Sequence, residues 1–80
     1  MKTDMSITEP TAKQIDVLNF IIQFKQENST SPTFREIGKE FGMTAKGAHE
    51  HVRALQQKGY VCIEQFKHRS IKVLRLPEAA

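Results

Sequence analysis

The sequence predicts a mostly helical domain that closes with a small β-hairpin, and three observations carry that prediction. Two capping boxes, Thr11 with Gln14 and Thr33 with Glu36, mark helix starts, because each side chain satisfies a backbone amide that the first turn leaves free. Apolar residues then recur at helical spacing as far as Leu55. From Tyr60 the period shortens to two and β-branched residues take over, which is the pattern of short strands.

The elements follow in order. Residues 1–10 show no period and read as an N-terminal arm, with Pro10 favouring an extended entry to the first helix. A helix is expected over residues 12–26, with Ile15, Leu18 and Ile22 as its stripe and Ile21 and Phe24 widening it enough to face two neighbours. The run Glu27-Asn28-Ser29-Thr30-Ser31-Pro32 has loop composition. A second, short helix starts at the Thr33 cap, with Ile37 and Phe41 at i and i+4 as its apolar stripe. Gly42 stands where it should stop, since glycine adopts the left-handed backbone of a helix end without a steric penalty.

Thr44 is a good N-cap for a third helix over residues 44–58, with Ala48, Val52 and Leu55 facing inward and Gly59 after its last residue. Two helices joined by so short a connection must cross steeply, which is a helix-turn-helix. Residues 60–64 and 70–75 are the expected strands, with Val61, Ile63, Ile71 and Val73 sharing the inner face. The basic tip between them belongs to a loop over residues 64–70. Three helices and a hairpin, mostly α, make a three-helix winged helix-turn-helix. The folded domain is expected over residues 11–76, with residues 77–80 as a tail.

Composition narrows the function classes. The net charge of +3 is unevenly spread: residues 1–43 carry five basic and six acidic groups, and residues 44–75 carry seven basic and two acidic. A positive half that begins at the third helix is the footprint of a surface for polyanions, with a merely solvated basic surface as the alternative. The single cysteine, Cys62, allows no internal disulfide and no cysteine-based zinc site, and it is expected to be a small packing residue. Apolar runs such as Phe20-Ile21-Ile22 are far too short for a membrane span, and no signal-peptide core is visible, so a cytoplasmic setting is expected. His49 and His51 fall on different helix faces and could hold a metal only with a third element such as His68, so no metal site is expected, and no cofactor is expected either. No paired carboxylates, phosphate loop or nucleophile triad is visible, so no catalytic residues are assigned.

In a helix-turn-helix the first turn of the second helix meets base edges in the major groove of double-stranded DNA. Here that turn exposes Thr44, Ala45, Lys46, Gly47, His49 and Glu50. Lys46 can donate to guanine and Glu50 can accept from cytosine, or Glu50 can orient Lys46 or Arg53. Gly47 either allows close approach to the groove or is a tolerated glycine near a fraying end. Thr33, Arg35, Lys39 and Arg53, with Lys67, His68 and Arg69 at the wing tip, are the phosphate candidates. Phe66 at the same tip is an apolar wing contact or a dimer contact. The competing reading is a winged helix used for protein interaction without specific DNA binding, but that use calls for an apolar third helix, and this one is polar.

The motifs Thr11-Ala12-Lys13-Gln14, Ser31-Pro32-Thr33 with Arg35-Glu36-Ile37-Gly38, Phe41-Gly42, His51-Val52-Arg53-Ala54-Leu55 and Lys58-Gly59, then Arg69 and Ile71 after the wing tip, resemble the N-terminal DNA-binding domain of LexA, the bacterial SOS-response repressor family. The likeness covers residues 7–76. It implies a transcriptional repressor module, associated with the nucleoid, that sits on a two-fold symmetric operator and pairs as a homodimer on DNA. Two departures stand out. The turn and start of the third helix, Met43-Thr44-Ala45-Lys46-Gly47-Ala48, are about one residue shorter than in many members, and Lys46, Gly47 and His49 differ from the usual residues, so the family's usual operator is not carried over. Family repressors also continue into a self-cleaving domain with an Ala-Gly site and a Ser/Lys dyad; those motifs are not in this sequence, and self-cleavage is not expected of it.

Overall fold

A computed structural model describes residues 10–65 and 69–77 as three helices followed by a two-stranded antiparallel hairpin. Helix α1 spans Ala12–Asn28. Its capping box closes in both directions, with Gln14 N–H donating to Thr11 Oγ1 and Thr11 N–H donating to Gln14 Oε1, each at 3.1 Å. The helix runs two residues beyond the expected end, because Asn28 Nδ2 donates back to the Phe24 carbonyl and Ser29 takes the left-handed conformation (φ 63°) that closes the turn onto Lys25 O.

Its buried line is Val17, Leu18 and Ile21, all fully buried, while Ile15, Ile22 and Phe24 are only half-buried. The predicted stripe is therefore shifted: Val17 belongs to it and Ile15 and Ile22 flank it. The reason is packing, since α1 lies mainly against the third helix and only lightly against the second. The flank is filled by rings. Phe20 meets Phe41 edge-on at 5.7 Å and Phe24 at 5.8 Å, and Lys13 Nζ sits 5.2 Å from the Phe41 centroid.

Helix α2 (Phe34–Phe41) starts at a second complete capping box and stops at Gly42 (φ 70°). Helix α3 (Ala45–Gln57) follows after three residues, capped by Thr44 Oγ1, which accepts from Gly47 N–H at 3.0 Å. The turn is tight because the Gly38 carbonyl accepts the amides of both Gly42 and Met43. A Cβ at Gly38 would run into the Met43 carbonyl oxygen, so only glycine fits beneath this turn. Ala48, Val52 and Leu55 are fully buried as predicted.

At the end of α3, Gly59 (φ 87°) and Tyr60 turn the chain by donating to Gln56 O and Leu55 O. Strands β1 (Val61–Ile63) and β2 (Ile71–Val73) pair with Val61 opposite Val73 and Ile63 opposite Ile71, so the four predicted inward residues share a face. The ladder is shorter than the sequence pattern implied, but Glu64 N–H to Ser70 O and Leu74 N–H to Tyr60 O extend it at both ends, each at 2.8 Å. Cys62 faces away from Val61 and Ile63, opposite exposed Lys72, so it is a partly exposed residue of the outer face and not a core packer.

Both capping boxes also serve as long-range anchors. Gln14 Oε1, besides capping α1, accepts from Lys58 Nζ at 2.8 Å at the end of α3. Glu36, besides capping α2, takes the guanidinium of Arg69 at the base of the wing. No helix among the described residues is long and apolar enough to cross a membrane.

Candidate nucleic-acid interface

The start of α2, the start of α3 and the base of the wing meet around an open cleft of about 480 Å³, lined by Thr33, Phe34, Arg35, Glu36, Ala45 and Arg69. Four of the thirteen sequence-predicted site residues thus come together here: Thr33, Arg35, Ala45 and Arg69. Thr33 is half-buried, and its hydroxyl accepts from Glu36 N–H at 3.1 Å, which still leaves an O–H donor for an incoming anion. Arg35 is exposed. The two helix starts add positive dipole ends on the same side.

Besides Ala45, the N-cap Thr44 and the α3 residues Lys46, Glu50 and Arg53 are exposed, and Gly47 is half-buried under the Thr44 hydroxyl. Glu50 forms no ion pair with Lys46 or Arg53 among the described residues, so its carboxylate is open to a donor from outside. His49 is half-buried and meets Phe34 edge-on at 4.8 Å, so it braces α3 against α2 as well as bordering the exposed face. Lys39 is exposed but stands on the last turn of α2, away from the cleft, where its charge suits the helix C-terminus. Lys67 and His68, like Phe66, lie outside the described residues.

The feature that sequence reasoning missed is the commitment of Arg69. Its Nη1 donates to Glu36 Oε1 at 2.8 Å and to the Ser31 carbonyl at 2.9 Å, and its Nη2 donates to Glu36 Oε2 at 3.1 Å. The guanidinium also lies 5.9 Å from the Phe24 centroid. Hydrogen bonding from Arg69, then from the Thr33 amide, lowers the Glu36 pKa from 4.5 to about 2, and Glu36 in turn raises that of Arg69. A helix-start glutamate is fully explained by its cap, so nothing in the local sequence called for a partner 33 residues away. No group of three His, Cys, Asp or Glu side chains that could hold a metal comes together among the described residues.

Comparison with known proteins bears on this surface directly. The family model described as "LexA DNA binding domain" matches residues 7–70. The chain belongs to this LexA DNA-binding domain family. It is 44% identical over 70 residues to a LexA repressor of Thermosipho africanus, covering 88% of this chain and 35% of that protein. To the LexA repressor of Leptospira interrogans it is 46% identical over 65 residues, covering 81% and 32%, and to that of Thermotoga neapolitana 42% over 65 residues, covering 81% and 33%. The chain spans about a third of the length of these curated relatives. The LexA match takes in all three helices and β1 and ends just before β2, so the cleft at the two helix starts lies wholly inside it.

Proposed function

We propose that this chain binds double-stranded DNA with sequence preference, as the DNA-reading part of a LexA-like transcriptional repressor. The observation that carries the reading is the outward row Thr44, Ala45, Lys46 and Glu50 at the start of α3, beside a second helix start and the wing base. In this arrangement α3 enters the major groove, Lys46 donates to guanine O6 or N7, and Glu50 accepts from cytosine N4. Gly47 lets the helix sit close to the base edges, and His49 borders the reading surface from its seat on Phe34. Thr33, Arg35 and Arg53 hold phosphates that fix the register, with Lys39 on the flank and Lys67 and His68 reaching the backbone from the wing. Two copies occupy a two-fold symmetric operator, pairing on the DNA. The chain itself does no catalysis in this role.

The test is selection from a random duplex library, followed by titration of the winning duplex against salt. Enrichment of a two-fold symmetric site, with affinity falling steeply as salt rises, supports the reading. Salt-sensitive binding without an enriched site reduces it to a basic surface, and no binding at low salt removes it. On an enriched site, Lys46→Ala is expected to lose about 1–3 kcal/mol of discrimination at one base pair. Equal weakening on every sequence would take Lys46 off the reading surface.

A further inference from the structure

We propose that Arg69 is a positioning residue, a latch that ties the wing to the start of α2 so that hairpin and reading helix meet a duplex as one rigid edge. The inference rests on the DNA-binding reading above and assigns within it a role to a residue that charge alone would assign to phosphate.

A hairpin of three residue pairs is marginal by itself and needs fastening. At its root the fastening is apolar, through buried Val61 and Ile71. Toward the tip it is polar. Ile63 N–H donates to Gln56 Oε1 on α3 at 2.7 Å, and Ile71 N–H donates to Ser31 Oγ at 3.3 Å, with Ser31 and Ser70 both buried. Arg69 lies at the end of this series and, among the described residues, bonds to groups of the α1–α2 connection and α2. It forms the wall between the cleft at the helix starts and a second open cleft that includes Lys25, Ser31 and Lys72.

Three bonds to Glu36 and Ser31 occupy three of the five guanidinium N–H donors, in a fork that fixes the direction of the side chain. The charge is already balanced by Glu36, so the pair releases no counterion on meeting a phosphate. Glu36 in turn holds the Thr33 amide at 2.9 Å, which connects the wing to the residue placed to meet the backbone.

The experiment uses Arg69→Lys, Arg69→Gln and Ser31→Ala with the selected duplex, and amide hydrogen exchange on the free protein. Lysine keeps the charge and loses the fork, and Ser31→Ala loosens the wing base without changing charge. A latch predicts that all three weaken binding by about fivefold, with the salt slope unchanged. In the two Arg69 variants, which leave the Ser31 hydroxyl in place, it also predicts that exchange at the Ile71 amide quickens by about tenfold, while Val52 on α3 keeps its protection. Arg69→Lys at wild-type affinity, with Arg69→Gln alone flattening the slope by about one, assigns Arg69 to phosphate and overturns the latch. Unchanged Ile71 exchange in Arg69→Lys overturns it too. If the wild-type chain selects no duplex, the functional reading fails, and the exchange measurement decides the latch by itself.

Discussion

Thr11 with Gln14 and Thr33 with Glu36 close the first turns of α1 and α2 by the same reciprocal pair of hydrogen bonds, yet they differ in what the third residue does next. Gln14 is neutral, and it receives a single Lys58 ammonium. Glu36 is charged, and it receives the fork of Arg69 together with the Thr33 amide. The first cap docks a helix end on a helix start and has no part in the cleft. The second stands where α2, α3 and the wing converge. A local motif sets where a helix begins, and the charge on one residue of that motif decides whether the same place can also organise a surface.

Gly38→Ala breaks this comparison outright, because it lifts α2 away from the turn that seats it. The backbone at Met43 cannot give way as a flexible side chain would. Alanine gains about 1 kcal/mol in helix propensity. The clash costs about 3 kcal/mol, so a net loss of about 2 kcal/mol in urea unfolding is expected. A stabilised variant would show that the turn is free to open.

Glu36→Ala removes a cap bond and an ion pair together, for about 2 kcal/mol, and Gln14→Ala removes bonds on a more exposed surface for about 1 kcal/mol. The comparison is sharpened by the ratio of the two losses, read from urea midpoints at neutral pH; equal losses would mean that the ion pair adds nothing.

The pH dependence separates the two caps next. The folded Glu36 carboxyl titrates near 2 and an unfolded one near 4.5, so its contribution is complete above pH 4.5 and is lost as pH falls toward 2. With the Arg69 and Glu36 side chains 34% and 37% exposed, solvent screening holds that contribution to about 1 kcal/mol. Glu36→Gln should lose this component of acid sensitivity, and Gln14→Ala should keep it. The smallest effect is expected of Gln14→Glu, which places a carboxylate in the first turn of α1, where the helix dipole favours it, for a gain of about 0.5 kcal/mol in thermal denaturation.

Much of the fold was legible because its instructions are short-range. Threonine at a cap, a partner three residues on and glycine at a stop act within one turn of chain, and Ala48, Val52 and Leu55 need only the helical period to be placed. The misplaced stripe on α1 shows where that reasoning weakens. Ile15, Val17, Leu18, Ile21 and Ile22 are all apolar, and their order of burial depends on which neighbour lies closest. Cys62 was misjudged for a related reason, since a two-stranded ribbon buries one face only and the register puts Cys62 on the other. Gly38 did carry a signal: a glycine inside an eight-residue helix costs stability unless another backbone must pass close by.

By itself, then, the amino-acid sequence determined the element order, the caps, the helix-turn-helix, the inward face of the hairpin and the basic bias of the second half, because these depend on neighbours within about one or two turns of chain. Only the tertiary structure decided which charges remain open to a partner. Lys46, Glu50 and Arg53 stay exposed on α3, whereas Arg69 folds back on Glu36. Arginine and glutamate 33 positions apart have no preferred spacing along a chain, and they meet because β1 packs against α3 and buried Val61 and Ile71 join the common core, which sets the base of the wing beside the start of α2.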